Sequence, residues 1–500
     1  MVENMELRYS STRNNGEKVK ASEAILRGLA TDGGLYVPDF IPHLDKTINE
    51  LVNMSYKEVA YEVMKLFFND FTKEELMYCI DKAYDDKFDV KDIAQVVRAD
   101  GNYYLELFHG KTIAFKDMAL SILPYLLTTS AKKNNVKNDI VILTATSGDT
   151  GKAALEGFAD VENTKIIVFY PKNGVSPIQE KQMVTQKGAN THVIGIEGNF
   201  DDAQNGVKKM FNNKKLAKEL EKNGYQFSSA NSINIGRLVP QIVYYIYSYA
   251  LLVGAEEIKN GEVINVVVPT GNFGNILAAY YAKRMGLPIA KLICASNENK
   301  VLYDFFNEGT YDKNREFILT KSPSMDILIS SNLERMIYSL VGRDDVKTKE
   351  LMEQLTKKGK YSIDDNEKMK LSDFVGKYAT EEQTSEIIKY VYDKSEYLID
   401  THTAVAAYAA YEYKRETLDE HPMMIVSTAS PYKFTRSVMN SLDLSYDKMT
   451  DFELVDEMKK VSEVDIPNAI EEIRKAKVLH KTVCGKNDME KVVKDILNIK

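Results

Sequence analysis

Short apolar runs alternate with helix-periodic stretches through the middle of the chain. Six runs have the length and the unbroken apolar character of strands that are buried on both faces. They are residues 140–143, 165–169, 191–194, 263–268, 291–295 and 423–426. The stretches between them, such as 178–187, 200–213 and 238–253, place apolar residues at helical spacing. This alternation predicts a layered α/β protein with parallel strands.

The two ends of the chain have a different pattern. The first hundred residues contain a turn at Gly33 and Gly34, prolines at 38 and 42, and helical runs at 56–68 and 73–84. They predict a mostly helical leading domain. Residues from about 340 to 395, and again from 446, are charged and helical, and we expect them to be packing additions.

Composition limits the function classes. The formal net charge is -8 and the pI is near 5.6, and no block of Lys and Arg forms a basic stripe, which argues against a nucleic-acid binder. Cys79, Cys294 and Cys484 are too widely spaced for a disulfide framework or a zinc site. The first residues are acidic rather than signal-like, and no apolar stretch approaches the ~20 residues of a membrane span. We therefore expect a soluble, unexported, cytoplasmic protein.

Lys116 is the most informative residue when it is considered with a glycine-rich turn far downstream. It precedes a run that is compatible with a helix, 117–129, and a lone Phe-Lys-Asp is usually a solvated lysine on the first turn of a helix. The turn comprises Gly271, Asn272, Phe273, Gly274 and Asn275, between the strand 263–268 and a helical run at 276–285. Amides at such a helix N-terminus suit a phosphate, and the spacing is neither a dinucleotide fingerprint nor a Walker loop.

A second turn of the same kind runs from Thr146 through Ser147, Asp149 and Thr150 to Gly151. Its hydroxyls and amides suit a carboxylate, although an N-cap box would account for the same residues.

Two further groups of donors accompany these turns. Asn231, Ser232 and Arg237 provide an amide, a hydroxyl and a guanidinium that are able to hold a phosphate, and a polar turn before a helix is the alternative. Thr428 ends the strand 423–426 and offers a hydroxyl for a pyridine nitrogen, or simply caps a turn. The six histidines show no metal-type spacing, no serine elbow is present, and neither His109 nor His402 receives a proton-transfer role.

Taken together and in order, these runs resemble the threonine synthases of the longer bacterial and fungal type. That family belongs to fold type II, the tryptophan-synthase-β-like enzymes that use pyridoxal 5'-phosphate (PLP). The resemblance covers most of the chain. The matching runs are 9–13, 28–35, 106–117, 146–151, 231–241, 269–275, 324–327, 331–335, 400–404 and 427–434.

The resemblance implies Lys116 as the Schiff-base lysine, residues 271–275 around the cofactor phosphate, and Thr428 beside the pyridine nitrogen. It also implies that Asn231, Ser232 and Arg237 hold the substrate phosphate. The loop 146–151, from its own hydroxyls and amides, is expected to hold the substrate carboxylate. The chain departs from the family pattern at four positions. Lys111 and Thr401 replace proline, Ser430 replaces histidine, and Asp149 stands where shorter relatives have asparagine.

The implied architecture is two layered α/β domains with helical additions. We expect a leading domain at 1–97, a large PLP-binding domain at 98–129 and 201–445, a smaller mobile domain at 130–200, and a helical extension at 446–500. The implied reaction converts O-phospho-L-homoserine and water into L-threonine and phosphate, in a monomer or homodimer. The alternatives are a phosphohomoserine lyase or a hydroxy-amino-acid dehydratase on the same fold, and a non-catalytic PLP-binding relative.

Overall fold

The computed structural model describes residues 6–146, 148–175 and 177–499, except for the side chain of Pro177. Its strands, in chain order, are β1 Tyr9–Ser11, β2 Asn14–Val19, β3 Tyr36–Pro38, β4 Gln95–Ala99, β5 Asn102–Glu106, β6 Asp139–Ala145, β7 Thr164–Pro171, β8 Thr191–Glu197, β9 Tyr225–Ser228, β10 Ile264–Pro269, β11 Ile289–Ser296, β12 Thr310–Asp312, β13 Lys360–Ser362, β14 Phe374–Tyr378, β15 Met423–Ser427 and β16 Val483–Gly485.

The helices, in chain order, are α1 Ala21–Arg27, α2 Ile48–Leu51, α3 Tyr56–Phe67, α4 Lys73–Ala83, α5 Asp117–Leu120, α6 Leu123–Lys133, α7 Asp149–Phe158, α8 Pro177–Val184, α9 Phe200–Phe211, α10 Lys214–Lys222, α11 Ile235–Leu238, α12 Pro240–Gly254, α13 Gly274–Arg284, α14 Val301–Glu308, α15 Leu333–Leu340, α16 Asp345–Lys358, α17 Asp365–Met369, α18 Glu381–Ser395, α19 Thr401–Thr417, α20 Thr435–Leu442, α21 Asp451–Ser462, α22 Asn468–Lys475 and α23 Met489–Ile496. Short 3₁₀ turns lie at Pro323–Met325, Lys370–Asp373, Pro431–Phe434 and Leu444–Lys448.

The larger sheet has the strand order β14-β11-β10-β15-β5-β4 and is parallel except for the pairing of β4 with β5. Its central strand β10 is buried along its whole length. Val266 and Val268 belong to the hydrophobic cluster that contains α12 and α13, whereas Val267 belongs to the cluster that contains α19. Burial on both faces explains the continuous apolar runs of the sequence.

The smaller sheet has the order β16-β8-β7-β6-β9 and is parallel throughout. All six strands expected from the apolar runs are present in the two sheets. The smaller sheet, however, recruits 225–228 and 483–485 in addition to strands from the predicted 130–200 segment. The predicted extension 446–500 therefore contributes a strand as well as helices, and α23 packs against α9, where Met489 contacts Gly206.

The helix expected over 117–129 is two helices, α5 and α6, and this part of the prediction was wrong. Pro124 lies in the first turn of α6 and has no N–H to donate to Leu120, so the helical hydrogen bonding is interrupted there. Proline is well tolerated in a first turn, and the chain restarts at Leu123. The break frees the Leu120 carbonyl, which Gly157 of α7 approaches closely.

The leading segment contains α1 to α4 and a small antiparallel sheet of order β2-β1-β3. Arg13 pairs with Glu334 of α15 through two hydrogen bonds of 2.8 and 2.7 Å, which fixes this segment to the larger domain. The 340–395 segment is more than the expected packing addition, since β14 forms an edge of the larger sheet. Within the described ranges, no helix combines the length and apolarity needed to cross a membrane.

Candidate active site

Three adjacent strands bring the predicted PLP residues to one edge of the larger sheet. Lys116 follows β5, Thr428 follows β15, and the turn 271–275 follows β10, and these strands are neighbours in the order β10-β15-β5. Because the strands are parallel, their carboxyl ends share an edge, where ligands of such sheets bind. The Phe115 amide donates to the Thr428 carbonyl at 2.8 Å, so Thr428 lies beside the Lys116 segment.

The Lys116 amine lies in the interior of the site. It is 3.5 Å from Asp149 Oδ2 and 3.4 Å from Ser324 Oγ. Burial lowers the pKa of Lys116, and the nearby charges of Lys433 and Arg237 add to this effect against the attraction of Asp149. A larger fraction of the amine is therefore neutral, as a nucleophile requires.

Asp149 is buried at the first position of α7 and has partners on both oxygens. Gln179 donates to Oδ1 at 2.9 Å, and the Lys433 ammonium lies 3.3 Å from the same atom. Ser324 and Lys116 contact Oδ2. Burial alone would raise the pKa of Asp149, but the charges of Lys433 and Lys116 outweigh it and hold the pKa well below its usual range.

Ser324 connects this cluster to a buried histidine. Its backbone N–H donates to His402 Nε2 at 3.1 Å. His402 Nε2 is therefore the acceptor, and Nδ1 carries the proton that faces Asp400 Oδ2 at 2.8 Å. Asp400 also caps α19. The resulting chain, from Asp400 through His402 to Ser324, fixes the hydroxyl that contacts Lys116.

The turn 271–275 presents free backbone donors at the start of α13. Phe273 has a left-handed backbone with φ 63°, and it is the residue that precedes the helix. Among the described residues, no acceptor is paired with the amides of residues 271 to 275. The buried side-chain amide nitrogen of Asn275 is also unpaired, while its Oδ1 accepts from Tyr244 and Tyr245. Such a set of donors suits a phosphate.

A side chain at Gly271 would collide with the segment that carries Ser324. An ideal Cβ there would lie 2.8 Å from the Ser324 carbonyl oxygen. The glycine therefore allows the phosphate turn to approach the Lys116 cluster directly.

Arg237 is a buried cation that has one hydrogen-bond acceptor among the described residues. Its Nη1 donates to the Ala230 carbonyl at 2.9 Å, whereas Nε has no partner among the described residues. Burial lowers the pKa of Arg237 to about 10, and no carboxylate contributes to that pKa. A buried guanidinium without an anion is unfavourable, so this site suits an anionic ligand.

Asn332 connects the segment predicted to hold the substrate phosphate with the turn predicted to hold the cofactor phosphate. Its Nδ2 donates to the Ser232 carbonyl at 3.2 Å and to the Asn272 carbonyl at 3.1 Å. Ser232 is half-buried, while Asn231 and Asn272 are exposed. The structure therefore brings these residues to one region, although their ligand contacts stay predictions.

The loop 146–151 lies at the carboxyl end of β6, in the smaller sheet. Thr146 Oγ1 accepts hydrogen bonds from the Gly148 and Gly151 amides at 3.0 and 2.9 Å, so these two donors are occupied within the loop. Thr150 is half-buried on α7, and Ser147 lies outside the described residues. The assignment of Thr146, Ser147, Asp149 and Thr150 to the substrate carboxylate stays a prediction.

Ser430, which replaces the usual histidine, has a local structural role. Its Oγ accepts from the Tyr432 amide at 3.3 Å, and its amide donates to the Ile113 carbonyl at 3.0 Å. It thereby begins the 3₁₀ turn that carries Lys433. Thr401, where the family has proline, donates to the Lys321 carbonyl at 2.7 Å.

Comparisons with known proteins agree with this geometry. The family description "Threonine synthase N terminus" matches residues 8–84, "Pyridoxal-phosphate dependent enzyme" matches 98–429, and "Threonine synthase, C-terminal" matches 403–483. Threonine synthase of Pseudomonas aeruginosa is 40% identical over 86% of this chain and 90% of its own length. The chain belongs to the threonine synthase family.

Solved structures of the family superpose on nearly the whole chain. PLP-bound threonine synthase from Brucella melitensis is 35% identical with a TM-score of 0.86, and the yeast enzyme is 32% identical with a TM-score of 0.87. Each alignment covers 98% of this chain and 99% of the other. These matches confirm the predicted fold class, the PLP cofactor, the lyase class and the assignment as a threonine synthase.

The described residues fit PLP. Lys116 supplies a buried amine, the turn 271–275 supplies unpaired donors, and Thr428 lies beside the Lys116 segment. Sequence reasoning missed Lys433 and Gln179 and gave no role to Ser324 or His402. Three of these lie in the motif-like runs 324–327, 400–404 and 427–434, and their position in those runs was the available signal.

Proposed function

We propose that the protein converts O-phospho-L-homoserine and water into L-threonine and inorganic phosphate. The observation that carries this proposal is the buried guanidinium of Arg237, whose Nε has no partner among the described residues, close to the Lys116 amine. Arg237 is near enough for its charge to lower the pKa of Lys116, and no carboxylate of the described residues contributes to the pKa of Arg237 itself. A substrate phosphate would supply the anion that Arg237 lacks, close to the Lys116 amine at which a substrate amino group would react.

Lys116 acts as the reacting amine and as a base in this proposal. When bound, PLP supplies an aldehyde for the Lys116 or substrate amine and a ring that withdraws electrons from the substrate Cα. Displaced by the substrate, the Lys116 amine is free to take the proton from Cα. Ser324 and Asp149 hold that amine by hydrogen bonding, which limits its positions.

The other proposed roles follow from the placement of the donors. Arg237, with Asn231 and Ser232, holds the phosphate that leaves from Cγ. The turn 271–275 holds the cofactor phosphate, and Thr428 contacts the pyridine nitrogen as a neutral partner. Thr146, Ser147 and Thr150 form the loop at the substrate carboxylate, to which Asp149 contributes its backbone amide rather than its ionised side chain, and closure of that loop excludes water from the reacting atoms.

The direct test is product analysis of purified protein supplied with PLP and O-phospho-L-homoserine. We expect phosphate and threonine in equal amounts. Lys116→Ala is expected to abolish turnover and the borohydride-reducible linkage, whereas Lys357→Ala, at an exposed lysine, is the matched control. Release of 2-oxobutyrate in place of threonine would reject the proposal in favour of a lyase or dehydratase, and bound PLP without turnover would indicate a non-catalytic relative.

We further propose that the enzyme works in the cytoplasm as a monomer or homodimer, and that the smaller domain moves relative to the larger one. The cysteines support a reducing compartment, since all three are free and two are buried. The unequal sheets support two domains, with Lys116 on one and Asp149 on the other.

A further inference from the structure

Two lysines from distant parts of the chain share the carboxylate of Asp149. Lys433 lies 3.3 Å from Oδ1 and Lys116 lies 3.5 Å from Oδ2. Their exposures differ, since the Lys433 side chain is fully buried and that of Lys116 is 12% exposed. The single negative charge of Asp149 therefore interacts with two buried ammonium groups at once.

Lys433 is anchored more firmly than Lys116. Its Nζ donates to the Thr112 carbonyl at 2.8 Å. Thr112 in turn donates to Asp117 through its amide at 2.8 Å and its hydroxyl at 2.6 Å, and Asp117 directly follows Lys116. The Lys433 ammonium thus joins the 3₁₀ turn that follows β15, the Lys116 segment and the first residue of α7.

We propose that Lys433 is a positioning residue, which holds Asp149 across the domain boundary. The Asp149 carboxylate then orients the Lys116 amine while its negative charge is shared between the two lysines. The inference rests on the proposed function only in taking Lys116 as the reacting amine. Lys433 itself contacts Thr112 and Asp149 and acts on Lys116 only through that carboxylate and its own charge.

The charges around Lys116 predict what Lys433 contributes. Burial disfavours the ammonium form of Lys116, Asp149 favours it, and the charges of Lys433 and Arg237 disfavour it. His402 lies behind Ser324, where its Nε2 accepts from the Ser324 amide and its Nδ1 faces Asp400, so it adds no positive charge beside Asp149. Without Lys433, Asp149 would have Lys116 as its remaining lysine partner. The amine would then be held in its protonated, unreactive form to a higher pH.

The test measures Lys116 in the full-length, cofactor-free protein. Acetic anhydride labels neutral amines, and mass spectrometry of the Lys116 peptide over a pH series gives the midpoint of its titration, with exposed Lys357 as the internal reference. We expect Lys433→Met to raise the midpoint by about one unit, which lowers labelling at a pH below both midpoints about tenfold. Lys433→Arg keeps the charge and is expected to label like the wild type.

A second variant acts in the opposite direction. Asp149→Asn removes the shared charge and leaves Lys116 beside Lys433 and Arg237, so its midpoint should fall below that of the wild type. An unchanged midpoint in folded Lys433→Met overturns the proposal, and so does an unchanged or raised midpoint in Asp149→Asn. If Lys433→Met does not fold, the Asp149→Asn result decides. Labelling is measured without cofactor or turnover. A negative labelling result would therefore reject the role of Lys433 without bearing on the proposed reaction.

Discussion

Buried cations that lack a protein anion carry the clearest functional information at the scale of single residues. Arg237 illustrates this point, because its guanidinium keeps an unpaired Nε in the interior. An arrangement of this kind is costly unless a ligand supplies the missing charge.

Arg237→Ala is expected to lower kcat/KM for O-phospho-L-homoserine about tenfold to a hundredfold. The reason is that a hydrogen bond to a charged group contributes about 1.5–3 kcal/mol. Arg237→Lys keeps the charge but loses the planar pair of donors, so a smaller decrease is expected. Steady-state kinetics and PLP titration check the assignment. Loss of PLP affinity with unchanged kinetics after reconstitution would place Arg237 at the cofactor instead.

His109 provides a second prediction at this scale, which concerns stability. Its imidazole lies between two carboxylates. Nδ1 is 2.8 Å from Asp89 Oδ1, and Nε2 is 2.8 Å from Glu106 Oε2. Burial opposes its protonation, but the two carboxylates outweigh burial and raise the pKa of His109 to about 9. Protonation of the folded state therefore stabilises the protein fully below about pH 6.5, and this contribution disappears as the pH rises through about 9.

Thermal unfolding of wild type and His109→Gln over pH 6 to 10 measures this contribution. The variant should have the lower Tm near pH 6, and the difference should shrink towards pH 10. A difference that is constant across the range would show that protonation of His109 contributes nothing.

Residue types that carry a motif were predictable from the sequence, and residues that act through distant contacts were not. Lys116 and Gly271 lie in runs whose chemistry is local. Lys433 becomes informative only because the fold places it 3.3 Å from Asp149, a distance that no local pattern encodes. For the same reason, the role of Ser430 as a turn cap needed the structure.

At the scale of elements, the apolar runs predicted the six main strands because a strand buried on both faces needs unbroken apolar sequence. Strands β9 and β16 were missed because they are four and three residues long and lie at the two edges of the smaller sheet. The break between α5 and α6 was missed because proline fits the first turn of a helix as well as it ends one.

The contact between α7 and the end of α5 predicts an unusual effect of a helical glycine. Alanine normally stabilises a helix interior relative to glycine by roughly 0.5–1 kcal/mol. At Gly157, however, a Cβ would lie 2.2 Å from the Leu120 carbonyl oxygen, which is backbone and has little freedom to move. Gly157→Ala should therefore destabilise the protein by about 1–3 kcal/mol in thermal or urea unfolding.

Gly206→Ala is the matched control for this prediction. It also lies inside a helix, but its Cβ would meet the side chain of Met489, with the sulfur at 2.3 Å. A methionine side chain is flexible and adapts to added volume, so a smaller loss is expected. Equal stability of Gly157→Ala and the wild type would contradict the close contact.

At the scale of the whole molecule, the two predicted anion sites lie on different sheets. Lys116 and the turn 271–275 belong to the larger sheet, and the loop after β6 belongs to the smaller one. We expected a division of this kind from the sequence, and the domain bounds of 130–200 stay a prediction. Strand β9 at 225–228 also pairs in the smaller sheet, and the order of pairing in a sheet is not readable from the strand sequences.

A substrate that bridges the two sheets should slow amide exchange in the loop and in α7. Binding of a phosphonate analogue of O-phospho-L-homoserine is expected to protect residues 148–158 in hydrogen-exchange mass spectrometry. Thr146→Val removes the acceptor of the Gly148 and Gly151 amides and should raise their exchange without ligand. Equal exchange with and without a saturating analogue would exclude ligand-driven closure of this loop.

The pairing of β16 with β8 has a consequence for synthesis of the chain. The two strands are separated by roughly 290 residues, so β8 leaves the ribosome long before its partner is made. At 5–20 residues per second the delay is on the order of 15 to 60 s. During that time one edge of β8 has no strand beside it, and open edges favour association with other chains. The nascent chain therefore exposes this edge of β8 until residues 483–485 have emerged.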